Sequence, residues 1–293
     1  MREYGFVRVG CDFCGSNEHR VVARKRGALI TSEFTIVRCA KCGFIFVNPR
    51  LSDAEIARLY DDEYYAGRGF DRTVAYDTQD KDETKRADIA AMLSEAAGSL
   101  RAKRCLDVGC GNGYLVSELR KHEADAWGQD SSPSALSICR TRNVPVLPYD
   151  LFDARLDGER FEIVTAIEVI EHVISPTRFL ARLRELLAPN GVLFIGTGSW
   201  ELVSRQPGAP YIMPEGHICY FTPTTLARFF EKVGLTVDWK TLNRTWIGWR
   251  VTPGPPHSRL RANVVRAMAR VARSTMPRVG PFPLARLSGL PPQ

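Results

Sequence analysis

From residue 103 onward, short apolar runs rich in β-branched and aromatic residues alternate with stretches whose apolar positions recur every three to four residues. The order is KRCLDV, then a helix from Tyr114 to His122; DAWGQ, then PSALSICRTR; VPVL; FEIVTAI, then PTRFLARLRELL; GVLFIGT; TPTTLARFFEKV, then LTVDWK and TWIGWRV. Such alternation predicts an α/β fold, a doubly wound and mostly parallel sheet with helices on both faces. Ahead of it, Ser52 caps a predicted helix SDAEIARLYDDEYY, and a polar stretch from Thr73 to Glu83 leads into a second, DETKRADIAAMLSEAAGSL. Earlier still, the β-like runs FTIVR and FIFVN flank a cysteine pair.

The pattern divides the chain into four parts: a small N-terminal unit at 1–50, a helical linker or lid at 51–100, the alternating domain at 101–251, and a tail at 252–293 in which Pro, Gly and Arg dominate. Net charge is +7, but no acid follows Asp238, while Lys240 and nine arginines do; residues 1–238 hold three more acids than bases. The body is therefore no polyanion-binding surface, which counts against a nucleic-acid partner. In the tail, Leu260, Val264, Val265, Met268 and Val271 fall on one helical face and Arg259, Arg266, Arg270 and Arg273 on the other. That pattern suits peripheral membrane contact or, the preferred expectation, docking on the body or on a second copy. The N-terminus MREYGFVRVG has no apolar signal core and no run approaches membrane-spanning length, so a cytoplasmic chain is expected.

Four of the eight cysteines form two pairs, Cys11 with Cys14 and Cys39 with Cys42, each followed directly by glycine. Two such knuckles supply four thiolates for a tetrahedral structural zinc, whose binding stands in for a core too small to hold itself.

After the first strand of the alternating domain comes LDVGCGNGYL. Asp107 precedes Gly109, Gly111 and Gly113, which allow backbone to approach a ligand before a helix begins, and Asp130 ends the next strand, where a carboxylate can take both hydroxyls of an adenosine ribose. A dinucleotide would put its pyrophosphate beside Asp107, and the spacing is G-x-G-x-G instead of G-x-G-x-x-G. An acidic loop suits an ammonium or sulfonium ligand. S-adenosylmethionine carries both.

With LDVGCGNG, Asp130, the EHV after the fourth strand and LLAPNGVLFIGT, the chain resembles the class I S-adenosylmethionine-dependent methyltransferases, over about residues 80–250. The resemblance implies a Rossmann-like sheet, with Asp107 and the glycine loop on the methionyl part, Asp130 on the ribose, and Asp150 near the adenine amino group, Asp153 competing for that role. The zinc-ribbon prefix with NPR and the downstream EYY is similar to bacterial methyltransferases of sugar and natural-product pathways. That arrangement makes Tyr65 a candidate cofactor contact and a small molecule the expected acceptor.

What remains is to make the acceptor nucleophilic, and the stretch EVIEH ends a buried strand. If it begins a helical turn, Glu168, Glu171 and His172 share a face at the carboxyl end of the sheet. His217 lies in GHICYF, inside a long polar excursion. Three readings are open. Glu171 and His172 cap the helix and shape the pocket wall; or His217 or His172 is a general base, as in deoxysugar C-methyltransferases, whose H-x-x-Y-F segment GHICYFT resembles although Pro214 and Gly216 depart from it; or Glu168, Glu171, His172 and His217 hold Mg²⁺ or Mn²⁺, since E-x-x-E-H is similar to the metal motif of ubiquinone-pathway O-methyltransferases and, with a later histidine, to that of small-RNA 2′-O-methyltransferases. A deoxysugar C-methyltransferase, or an RNA 2′-O-methyltransferase gripping phosphate through the ribbon and the Arg-rich tail, is the enzyme alternative, and a zinc-ribbon scaffold without turnover the non-enzyme one.

Overall fold

The computed structural model describes residues 4–60, 83–241 and 246–253. The tyrosines Tyr64 and Tyr65 and the amphipathic stretch 259–273 lie outside the described residues. Strands β1 (Phe6–Val7), β2 (His19–Arg26), β3 (Glu33–Cys39), β4 (Ile45–Val47) and β5 (Arg50–Leu51) come first. Helix α1 (Asp53–Arg58) follows, with the expected cap: the Ser52 hydroxyl accepts from the Glu55 amide. It stops short of the predicted length, and α2 (Glu83–Ala97) precedes the alternating domain.

That domain runs β6 (Arg104–Val108), α3 (Tyr114–Lys121), β7 (Asp125–Gln129), α4 (Pro133–Thr141), β8 (Val146–Leu147), β9 (Phe161–Ile167), α5 (Pro176–Leu186), β10 (Leu187–Gly198), α6 (Trp200–Val203), β11 (Cys219–Tyr220), α7 (Pro223–Lys232), β12 (Leu235–Thr241) and β13 (Trp246–Pro253). Seven of these strands form one sheet in the order β12–β13–β10–β9–β6–β7–β8. β8, β7, β6, β9 and β10 are mutually parallel, and β13 is antiparallel to both β10 and β12. The chain winds outward from β6 through β7 and β8, then returns to β9 on its other side. The winding thus reverses between β6 and β9, and open α/β sheets bind ligands at the carboxyl ends of the strands at such a point.

Strand residues alternate between two buried faces. Cys105, Ile163 and Phe194 pack with Leu93 of α2 and Val116 of α3. Their chain neighbours Leu106, Val164 and Ile195 face the other way, onto Phe179 of α5 and Phe229 of α7. This second core continues without a break into the N-terminal unit through Phe44, whose ring lies 5.5 Å from Phe221 and 4.9 Å from Phe229. The N-terminal sheet has the order β11–β4–β3–β2, so a strand from the 198–221 excursion completes it. Among the described residues no helix is long and apolar enough to cross a membrane.

Candidate functional site

Gly109, Gly111 and Gly113 all adopt left-handed backbone, at φ +71°, +53° and +73°. A side chain is excluded sterically as well as conformationally: a Cβ on Gly109 would run into Val169, and one on Gly113 would come within 2.7 Å of Val144. The amides of Gly109 and Cys110 donate to the Gln129 carbonyl at 2.7 and 3.0 Å, which hangs the loop from the end of β7. Gly113 then begins α3 with no side chain of its own to cap it, and the Asn112 side chain accepts from the Tyr114 amide at 3.4 Å.

Two carboxylates border this cradle. Asp107 is buried and accepts from the Thr165 hydroxyl at 2.6 Å. Burial pushes its pKa up to about 7, against the Thr165 bond that lowers it, and the Asp130 charge adds to the rise. Asp130 accepts from the amides of Gly111 and Ser132, both at 2.9 Å, and so is aimed at the loop. Asp150 follows β8 and is exposed, one oxygen accepting from the Phe152 amide. Its rival Asp153 is occupied: Arg155 grips it with two bonds of 2.6 and 2.9 Å. The buried acids and the Cβ-free cradle fit an adenosine carrying a cationic amino-acid arm.

The expected helical turn at 168–174 is absent. Glu168 takes φ +55°, which breaks any helical continuation from β9, and α5 starts only at Pro176, capped by Ser175 instead of by Glu171 or His172. Glu168 stays against Glu171 through a side-chain hydrogen bond but is not among the groups whose ligand atoms meet. Its carboxylate lies 3.4 Å from Lys85 of α2. Burial and then Glu171 raise its pKa to about 8, against the Lys85 charge that lowers it. What converges is Glu171, His172 and His217, whose ligand atoms lie within 4.8 Å of one another.

Each member is held from behind. Glu171 is fully buried and accepts from the Thr197 hydroxyl at 3.0 Å and from the Tyr211 hydroxyl. His217 Nδ1 lies 2.6 Å from the Tyr211 carbonyl; a carbonyl only accepts, so Nδ1 carries the proton and Nε2 keeps its lone pair. Burial, then the nearby His172, push the His217 pKa well below 6.5, which keeps the ring neutral. His172 Nδ1 faces the Gly216 carbonyl at 3.2 Å and the Tyr60 hydroxyl at 2.7 Å. Two imidazoles and a carboxylate form a donor set for Mn²⁺ or Mg²⁺. Tyr60, Tyr211 and Thr197 escaped the sequence analysis. Tyr60 lies close before the tyrosines singled out there, and Thr197 ends an apolar strand, but nothing local marked Tyr211.

In the N-terminal unit, the Sγ atoms of Cys11, Cys14, Cys39 and Cys42 lie within 4.8 Å of one another, Cys11 being 3.4 Å from Cys42 and Cys14 3.6 Å from Cys39. Sulfurs around a tetrahedral zinc stand roughly 3.8 Å apart, given Zn–S bonds of about 2.3 Å. Gly15 and Gly43, at φ +72° and +81°, turn their amides back onto the carbonyls of Cys11 and Cys39. The thiols thus fit the metal.

Residues 68–239 match the family model described as a methyltransferase domain. The chain belongs to the S-adenosylmethionine-dependent methyltransferases. Among its relatives, the ubiquinone biosynthesis O-methyltransferase of Pasteurella multocida (strain Pm70) is 30% identical over 171 residues, 49% of this chain and 70% of the relative. That of Coxiella burnetii (strain RSA 331 / Henzerling II) is 31% identical over 152 residues, 47% of this chain and 65% of the relative, so the match spans just under two thirds of that protein. The fold is shared with magnesium protoporphyrin IX methyltransferase from Synechocystis PCC 6803 with bound SAH, at TM-score 0.52 and 17% identity, covering 68% of this chain and all of that one. A methyltransferase replaces the scaffold alternative. For this methyltransferase Gly109→Ala is expected to weaken S-adenosylmethionine binding at least about tenfold by titration calorimetry, the new Cβ displacing Val169 from the loop; wild-type affinity would mean that the loop yields.

Proposed function

We propose that this methyltransferase moves the methyl group of S-adenosylmethionine to a hydroxyl oxygen of a small molecule, a sugar or natural-product intermediate, with Glu171, His172 and His217 as the acceptor-activating centre. The observation that carries this is the meeting of those three side chains at the carboxyl end of β9, each braced by a hydrogen bond from outside the cluster. The names of the relatives support oxygen as the acceptor atom. The zinc-ribbon prefix supports the pathway type. We assign zinc to the four N-terminal thiolates.

S-adenosylmethionine supplies an electrophilic methyl on a good thioether leaving group. Asp107 neutralises its ammonium arm, Asp130 takes the ribose hydroxyls, and Asp150 reaches toward the adenine, so the donor is aligned and transfer becomes an in-line displacement. Mg²⁺ or Mn²⁺ on Glu171, His172 and His217 would make a bound hydroxyl more acidic. The Tyr211 and Thr197 hydroxyls hold the Glu171 carboxylate in place, and the Tyr211 carbonyl fixes the His217 tautomer. The hydroxyl proton passes to solvent as the oxygen–methyl bond forms and the sulfur–methyl bond breaks, and S-adenosylhomocysteine departs with that bond's electron pair on sulfur.

Incubation with labelled S-adenosylmethionine and a panel of sugar nucleotides, phenols and RNA tests the proposal. Transfer to a hydroxyl compound is expected, falling at least about tenfold after exhaustive chelation and returning with Mn²⁺ or Mg²⁺. Undiminished transfer without metal would leave His217 Nε2 as a general base, the second reading that its fixed tautomer favours. Label found on carbon or in RNA alone would remove the hydroxyl assignment.

A further inference from the structure

The acceptor-side residues come from two segments far apart in the chain, and each is bolted to the N-terminal unit beside a cysteine pair. Asp12, between Cys11 and Cys14, accepts from the Ser175 hydroxyl at 2.6 Å and from the Thr177 amide at 2.8 Å. Those donors form the first turn of α5, directly after the turn that carries Glu171 and His172. A carboxylate there satisfies an orphan amide and the positive end of the helix.

The other segment is held in the same manner. From α7, which follows His217 and β11, Arg228 donates to the Cys42 carbonyl and Lys232 to the Phe13 carbonyl, both at 2.6 Å. Phe13 lies edge-on to Phe229 at 4.9 Å and accepts the two cations on its ring. Upstream of His217, the buried Glu215 accepts from the Leu29 amide at 2.9 Å and from the Ala28 amide, in the turn between β2 and β3. Lys25 of β2 donates to the Gly208 and Ala209 carbonyls at 3.0 and 2.6 Å. The two segments then meet: the Val47 amide of β4 donates to the Ile218 carbonyl, and the amides of Ile218 and Cys219 donate to the Glu171 carbonyl at 2.9 and 3.0 Å.

From this geometry we propose that the four-cysteine unit is a clamp that sets His217 against Glu171 and His172, with Asp12 and Arg228 as positioning residues for the acceptor centre. The knuckle face is turned inward onto α5 and α7, so its business is with this chain. The donor cradle is built differently, on β6, β7 and α3, and none of the bonds named here reaches it. Disturbing the clamp therefore changes the acceptor centre and spares the donor site. The proposal rests on reading Glu171, His172 and His217 as that centre, but its test needs no turnover.

The test uses the zinc-loaded full chain with ¹⁵N-labelled histidine. Imidazole nitrogen spectra report tautomer and environment, and titration calorimetry with S-adenosylmethionine reports the donor site. In Asp12→Ala, the His172 signals are expected to shift, and in Arg228→Met those of His217. Zinc content should remain near wild type and the S-adenosylmethionine Kd within about twofold, because the altered bonds lie outside the cradle. Stripping zinc from the wild type should erase the fixed Nδ1–H pattern of His217. Unchanged imidazole spectra in both variants overturn the clamp. So does loss of S-adenosylmethionine affinity in step with the spectral change, since the unit would then support the whole domain. Failure of the hydroxyl-transfer assay alone would strike the functional reading and leave these spectra to decide the clamp.

Discussion

Replacing His217 with alanine is expected to lower kcat by about two to three orders of magnitude, the usual cost of removing a positioned acid–base or metal-held group, while the S-adenosylmethionine Kd stays unchanged. The side chain is 4% exposed, its Nδ1 is committed to the Tyr211 carbonyl, and the ring has a ligand atom within 4.8 Å of those of Glu171 and His172. Alanine leaves the carbonyl without its donor and the centre without one of its two imidazoles. The donor cradle has no bond to His217, so the loss belongs in turnover. Single-turnover measurements with saturating donor separate the two. A variant with kcat within a factor of about three of wild type would take His217 out of the chemistry.

The second large effect concerns pH. In the free protein Asp107 has a pKa of about 7, raised chiefly by burial. A cationic amino-acid arm binds the carboxylate form, so its binding must expel the Asp107 proton wherever that proton is present. Below pH 7 the ionised fraction falls tenfold per unit, and the S-adenosylmethionine Kd should rise about tenfold for each pH unit lost; above pH 7 it should level off. S-adenosylhomocysteine keeps the ammonium and should follow the same curve. Methylthioadenosine lacks it and should show a flat one. Calorimetry in buffers of different ionisation enthalpy should register proton release on the acid side with the first two ligands and none with the third. Asp107→Asn should abolish the pH dependence and weaken S-adenosylmethionine at least about a hundredfold, in the range of a buried charged pair that loses one partner. A pH-independent Kd for the wild type would place the ammonium elsewhere.

Much of the donor side was legible before the structure. Gly109, Gly111 and Gly113 announce a backbone that only glycine tolerates, and Asp107 and Asp130 stand at strand ends that the hydrophobic pattern located to within a residue or two. The acceptor side was harder. Glu168 had the helical spacing that would align it with Glu171 and His172, but its left-handed backbone breaks that turn, and it reaches Glu171 and Lys85 from outside the trio of ligand atoms. Spacing assumes a conformation, and here the turn chose another. The sharing of β11 between the excursion and the N-terminal sheet left no trace in the pattern either, because a two-residue strand has too few positions to show a period.

By itself the sequence determined the alternating sheet, the glycine cradle with its acids and the pairing of the cysteines, since each is encoded over a few neighbouring residues whose backbone preferences and burial act locally. Only the tertiary structure decided that Glu171, His172 and His217 meet, that Tyr60 and Tyr211 brace them, and that Asp12 and Arg228 fasten the N-terminal unit to the segments carrying them. Those meetings depend on strand register and on the paths of long connections, which are set by the packing of the whole chain and have no period to be read along it.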